Sequence, residues 1–278
     1  MSKRNSNRTK APEVPPPGPE PDNNLFSFVT PTEFVELPSR GLFYGVDHPL
    51  HDSDVVEIRH MTAKEEDILT SEALLKSGMA LNRLLQSVIV DKNVHPDTLL
   101  IGDKNAVLIA ARQTGFGDIY TTSINCSECG KQNEKDFSLN TREIKESEIP
   151  EDVSLLENGN FLIYNKEYDL NLEIRLLKGQ DETKITKILE NRRKLKKDVG
   201  NITTMLESII VAVNDIREPA AIQQVVAAMP VAFSRKVRSV YESVMPNIGL
   251  YADFECEFCD YNDRLEVPIT LHFFWPDL

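Results

Sequence analysis

The chain has no run of about 18 consecutive apolar residues, the least that a membrane-spanning helix needs, so no transmembrane helix is expected. Its basic start, "MSKRNSNRTK", is not followed by the apolar core and small-residue cleavage site of a secretory signal, which predicts that the protein stays in the cytosol where it is made. Basic residues are in deficit: 31 Lys and Arg against 44 Asp and Glu leave a formal charge of -13, which disfavours nucleic acid over most of the surface. Glycine-rich phosphate loops are missing as well. "TGFGDIY", residues 114–120, has Gly115 and Gly117 but no third glycine opening a helix, so a helix stop is the simpler reading. No pattern sets a histidine beside a serine or cysteine nucleophile, and no enzyme is expected. Cysteine is scarce too, at four residues, and all four fall in two matching places.

What is present points to one or two domains in 278 residues, with 41% hydrophobic and 27% charged residues as in ordinary globular chains. Residues 1–25 are basic, then proline-rich, and carry no apolar periodicity, which predicts a disordered arm. Residues 26–60 mix aromatics with Pro31, Pro38 and Gly41, then "DVVEIRHM", giving an extended strip and a strand. Residues 61–117 read as a helical unit. Thr62 followed by Glu65 is a capping box, apolar spacing runs through Ile89 with a break at Gly78, and Asp103 is placed to cap a last helix. Residues 118–179 hold one cysteine pair between strand-like stretches and then a hairpin in "FLIYNKEYDLNLEIRLL". Residues 180–246 read as an inserted helical unit, with Pro219 in a tolerated first-turn position, and residues 247–278 hold the second cysteine pair and a closing strand.

Cys126-x2-Cys129 and Cys256-x2-Cys259 each place two thiols on a tight turn between extended segments. Two such knuckles facing one another would supply four sulfur ligands to a structural Zn2+, with no open position for catalysis. The expected fold class is therefore α+β, helical segments combined with a small antiparallel zinc ribbon built from two distant knuckles. Alternatives remain at this point: iron in place of zinc, two independent redox pairs, or thiols that merely pack.

The other candidates are weaker. His48 and His51 sit among acids in "GVDHPLHDSD", a polar proline-containing loop, and His272 lies in an apolar run. "NRRKLKK", residues 191–197, offers a basic cluster for a nucleic-acid-binding zinc ribbon, although a solvated helix end is the plainer account. Aromatics flank the folded region. Phe26, Phe28, Phe34, Phe43 and Tyr44 in the strip, with Phe274 and Trp275 near the terminus, are candidate partner anchors, while Phe273 is expected to pack inward.

"LPSRGLFY", "IRHMTAKEEDILTS", "LLKSGMALNRLLQSVI", "LLIGDKNAVLIAARQTGFGDIY", the two knuckles and "VPITLHFFWP" together resemble the baseplate hub and baseplate-assembly proteins of contractile-tailed, T-even-like bacteriophages, over roughly residues 34–278. The resemblance implies a structural, non-enzymatic part of the virion tail baseplate. It would be assembled in the host cytoplasm, within a hetero-oligomer of other baseplate and tail proteins.

Overall fold

In the computed structural model, residues 30–194, 200–267, 269 and 273–274 are described. The expected arm, the anchors Phe26, Phe28 and Trp275, and His272 lie outside them. The chain begins with an antiparallel pair, β1 (Thr32–Glu36) and β2 (Val55–Arg59), in the register Val35↔Val56. Between these strands the strip "LPSRGLFY" doubles back in tight turns. Gly41 holds φ +73°, and a Cβ there would come within 2.4 Å of the Ser53 amide, so only glycine fits.

Helices α1 (Ala63–Thr70), α2 (Glu72–Ser77) and α3 (Ala80–Val88) follow. Glu65 closes the capping box as expected, accepting the Thr62 amide at 2.9 Å. The same buried carboxylate takes the Arg59 guanidinium at 3.0 Å and the Ser87 hydroxyl at 2.5 Å, so one side chain ties β2, α1 and α3 together. Burial alone would raise its pKa, but bonds from Arg59, Ser87 and Thr62 hold it down to about 2, from an ordinary 4.5. A carboxyl whose folded pKa is depressed contributes stability that is complete above its unfolded value and lost as pH falls toward the folded one. Acid titration of the thermal midpoint should thus fall more steeply between pH 4.5 and pH 2 in the wild type than in Glu65→Gln, which should start lower at pH 7. Gly78, at φ +69° in the left-handed region, ends α2.

Helix α4 (Ile101–Phe116) is central. Six consecutive residues, Ala106, Val107, Leu108, Ile109, Ala110 and Ala111, are buried, which is the signature of a helix covered on every side. It packs on β1, on α3 and on the late strand β10 (Asn247–Glu255). Gly102 lets β10 approach, because a Cβ there would sit 2.3 Å from the Pro246 carbonyl. Gly117 stops the helix, whereas Gly115 remains inside it against Met61. Asp103 does not cap α4. The cap position is Leu100, and the Asp103 carboxylate is turned away to the strip, accepting the Ser39 amide at 3.0 Å, the Ser39 hydroxyl at 2.6 Å and the Tyr44 hydroxyl at 2.7 Å.

After α4 come β3 (Ile119–Asn125), β4 (Gln132–Ser138), β5 (Arg142–Lys145), β6 (Val153–Leu155), β7 (Phe161–Asn165) and β8 (Leu170–Ile174). Next are α5 (Gly179–Lys194), α6 (Asn201–Ile209), β9 (Ile210–Val213), α7 (Pro219–Ala228), α8 (Val231–Val244), then β10 and β11 (Asn262–Glu266). The expected hairpin is β7–β8, and Pro219 does open α7. One local reading is corrected. "IIVAV" does not extend α6, because its β-branched residues form β9, which pairs with β8 and completes the antiparallel order β6-β7-β8-β9. Among the described residues the α+β class is thus met by helices interleaved with four antiparallel sheets, the others being β1-β2, β3-β4 and β11-β10-β5. In the last, residues 142–145 pair with 247–250 across the whole intervening segment. The described residues from Pro31 onward form one unit.

Candidate metal centre

The knuckles are the turns of two hairpins, β3–β4 and β10–β11. In each, the amide of the first cysteine donates to the carbonyl five residues on, Cys126 to Lys131 and Cys256 to Tyr261, both at 2.9 Å. This bond folds the Cys-x2-Cys loop so that both sulfurs leave on one side. Gly130, at φ +69°, makes the sharp exit from the first knuckle.

Facing each other, the turns interleave their thiols. Cys126 Sγ lies 3.8 Å from Cys259 Sγ, Cys129 Sγ lies 3.7 Å from Cys256 Sγ, and all four sulfurs are within 4.8 Å of one another. A disulfide needs about 2.05 Å, so the four are free thiols. Four sulfurs each ~2.3 Å from one ion at tetrahedral corners stand about 3.8 Å apart, which the two cross-knuckle distances match. The ligands of an iron–sulfur cluster sit on different irons and spread wider, so the arrangement suits a single ion. Two separate pairs are not what the structure places here, since close sulfur contacts run between the knuckles and all four thiols form one cluster.

Neighbouring thiols also shift the ionisation of Cys256 and Cys259. Partial desolvation opposes ionisation of Cys256, but the Phe258 amide at 3.4 Å and the neighbouring thiols overcome it and bring its pKa to about 6. The Tyr261 amide lowers the pKa of Cys259, yet desolvation and its hydrogen bonds with the adjoining thiols push it up to about 12. A divalent cation held by the four would deprotonate its coordinating thiols.

Contacts besides those of the sulfurs bridge the knuckles, among them three at or near Asn133. Lys135 pairs with Glu257 at 2.8 Å, the Lys131 ammonium lies 4.7 Å above the Phe258 ring, and the buried side chain of Asn133 joins both turns. Nothing in the sequence marks Asn133, which sits in a polar stretch that reads as plain turn. Its mate in the second knuckle, Asp263, bonds locally to Tyr261 at 2.7 Å instead.

A profile of the family described as T4 bacteriophage base plate protein matches residues 33–275. The chain belongs to that family. No curated protein and no solved structure matches it. The family's span takes in both knuckles of this baseplate protein as well as the whole described helical region.

The other predicted site residues of the baseplate protein separate into two groups. Phe34 is on the surface, 68% exposed. Phe43, Tyr44 and Phe274 are buried and serve the unit's own core, which corrects their reading as docking anchors. Phe43 packs on Phe161 at 5.4 Å, and Tyr44 links Asp103 to the Leu100 amide while stacking on His48 at 4.2 Å. Phe274 and Phe273 lie edge to face, as do Phe273 and Tyr120. Arg112 then fixes the segment, donating to the carbonyls of Phe273 at 2.9 Å, Gly117 at 3.1 Å and Ile119 at 3.1 Å.

His48 and His51 gather no metal-binding set. His48 meets Thr98 at 2.9 Å and is held neutral, at about 4, by burial and then by Lys178, while His51 meets the Tyr44 carbonyl at 2.8 Å. Among the described residues the four cysteines alone make such a cluster. Arg192 of the basic stretch donates to Thr204 at 2.6 Å, a link between α5 and α6, and residues 195–199 are outside the described set.

Proposed function

We propose that this baseplate protein is a structural component or assembly factor of the baseplate hub, held in shape by one Zn2+ bound to Cys126, Cys129, Cys256 and Cys259. The observation that carries the proposal is the convergence of two remote thiol pairs, all four sulfurs within 4.8 Å of one another, in a chain of the baseplate family. Four thiolates fill the shell of the ion and leave no position for substrate, so the ion's role is architectural and not catalytic. Zinc is preferred to iron because it has no redox chemistry to manage in a site whose Cys129 is exposed.

The ion would fasten the segment after α4 to the segment after α8, and so fix both ends of everything between them. A scaffold stapled in this way suits a part that other baseplate and tail subunits grip, with Phe34 as its exposed aromatic on the strip. The nucleic-acid reading draws support only from the basic stretches, which the formal charge of -13 opposes.

Peptide mass spectrometry of purified particles of the encoding phage, and of its tail-assembly intermediates, tests the role. Recovery from mature baseplates is expected of a component, and recovery from intermediates alone is expected of an assembly factor. Absence from both contradicts the proposal.

A further inference from the structure

Asn133 lies on β4 opposite Ile124 and is 1% exposed. Its carboxamide is fully engaged. Oδ1 accepts the Glu257 amide at 2.8 Å, and Nδ2 donates to the Lys131 carbonyl at 3.0 Å and to Cys256 Sγ at 3.6 Å. The partners fix which end is which, because the Glu257 amide can only donate and the Lys131 carbonyl can only accept. One rigid group thus touches the exit of the first knuckle, the backbone of the second, and one of the four sulfurs. Asparagine is suited to this task, since no other side chain this short offers an acceptor and two donors in one plane.

The sulfurs are not equivalent in their surroundings. Cys256 receives the Asn133 amide from the facing knuckle and the Phe258 amide from its own, at 3.6 and 3.4 Å. A sulfur with two N–H donors is oriented and has part of its negative charge stabilised before any ion arrives. Outer partners of this kind set how firmly a site holds its metal. The exposed ion pair Lys135–Glu257 spans the same gap but touches no sulfur.

We propose that Asn133 is the positioning residue of the four-cysteine centre: it preassembles the two knuckles in register and holds the Cys256 sulfur toward the ion, so that metal retention depends on its amide. This rests on the metal reading above. The test is metal release from the full-length, zinc-loaded protein into a chromophoric chelator. Asn133→Asp keeps an acceptor for the Glu257 amide but loses the donor to Cys256, and Asn133→Ala loses both. Release is expected to quicken by roughly 10- to 100-fold in each. Lys135→Ala should change it by less than about fivefold, as befits an exposed ion pair.

A second readout separates positioning from general support. Under brief alkylation, Cys256 should be modified faster in the loaded variants than in the loaded wild type, with Cys126, Cys129 and Cys259 changing less, because a bound thiolate that has lost one of its N–H donors is the better nucleophile. If Asn133→Asp loses its helical circular dichroism, Asn133→Ala is read in its place. Release at the wild-type rate, or alkylation of Cys256 no faster than in the loaded wild type, overturns the inference. A wild-type protein that binds no zinc would instead overturn the metal reading beneath it, so the two failures are distinguishable.

Discussion

Replacing Cys126 with serine is expected to release the metal and let the two hairpins part. Cys126 is the one thiol of the four that is buried, and its sulfur stands against Cys259 from the other knuckle. Structural zinc sites supply apparent binding energies on the order of 10 kcal/mol, as large as the whole stability of many domains. The core beyond the two hairpins remains when the ion is gone, so a loss of several kcal/mol is expected rather than complete unfolding. At ~2–4 °C per kcal/mol for a chain of this size, the thermal midpoint should fall by about 10 °C or more. Hydrogen exchange should show β3–β4 and β10–β11 losing protection together, while α4 keeps its own. Adding a chelator to the wild type should reproduce the shift, and adding it to Cys126→Ser should do nothing further. A variant as stable as the wild type would remove the metal from the account of folding.

Asp103→Ala should be the most damaging change away from the cysteines. Asp103 is wholly buried, and burial pushes its carboxyl upward against three donors that favour ionisation, the Ser39 amide, the Ser39 hydroxyl and the Tyr44 hydroxyl. Truncation strands all three in the interior, and removing one partner of a buried charged network costs about 3–5 kcal/mol. The chemical denaturation midpoint should drop accordingly, and the amides of Ser39 and Leu100 should exchange faster because Tyr44, which joins them, is set loose. Lys76→Ala, which breaks the exposed Lys76–Glu72 pair at 2.8 Å, should cost less than about 0.5 kcal/mol and serves as the reference. Equal costs for the two would mean that the strip is not fastened to α4 through Asp103.

These two sites also show where a sequence is readable. The knuckles announce themselves because Cys-x2-Cys spacing encodes its own turn, and the four-thiol cluster follows from counting thiols. The start of α1 is similarly local, since Thr62 and Glu65 are three residues apart and satisfy each other's backbone. Asp103 was visible as a residue suited to cap a helix, but its choice of partner was settled by Ser39 and Tyr44, some sixty residues upstream. β9 was hidden for the same reason. Ile210–Val213 follows a helix without punctuation, and only the open edge of β8 makes a strand the better outcome.

The aromatics divide by environment in a way composition does not encode. Phe34 and Phe43 are alike in type and close in sequence, yet β1 turns the first outward while the turn at Gly41 folds the second onto Phe161. Asn133 was illegible because a lone asparagine beside a knuckle is common, and its meaning comes from Glu257 and Cys256, which arrive from the far end of the chain.

The most direct test is elemental analysis with X-ray absorption at the metal edge on protein purified without added metal or chelator. One zinc per chain, bound by four sulfurs at ~2.3 Å, is the predicted result. Protein that is folded and contains no bound metal, or an ion ligated by oxygen or nitrogen, would contradict it.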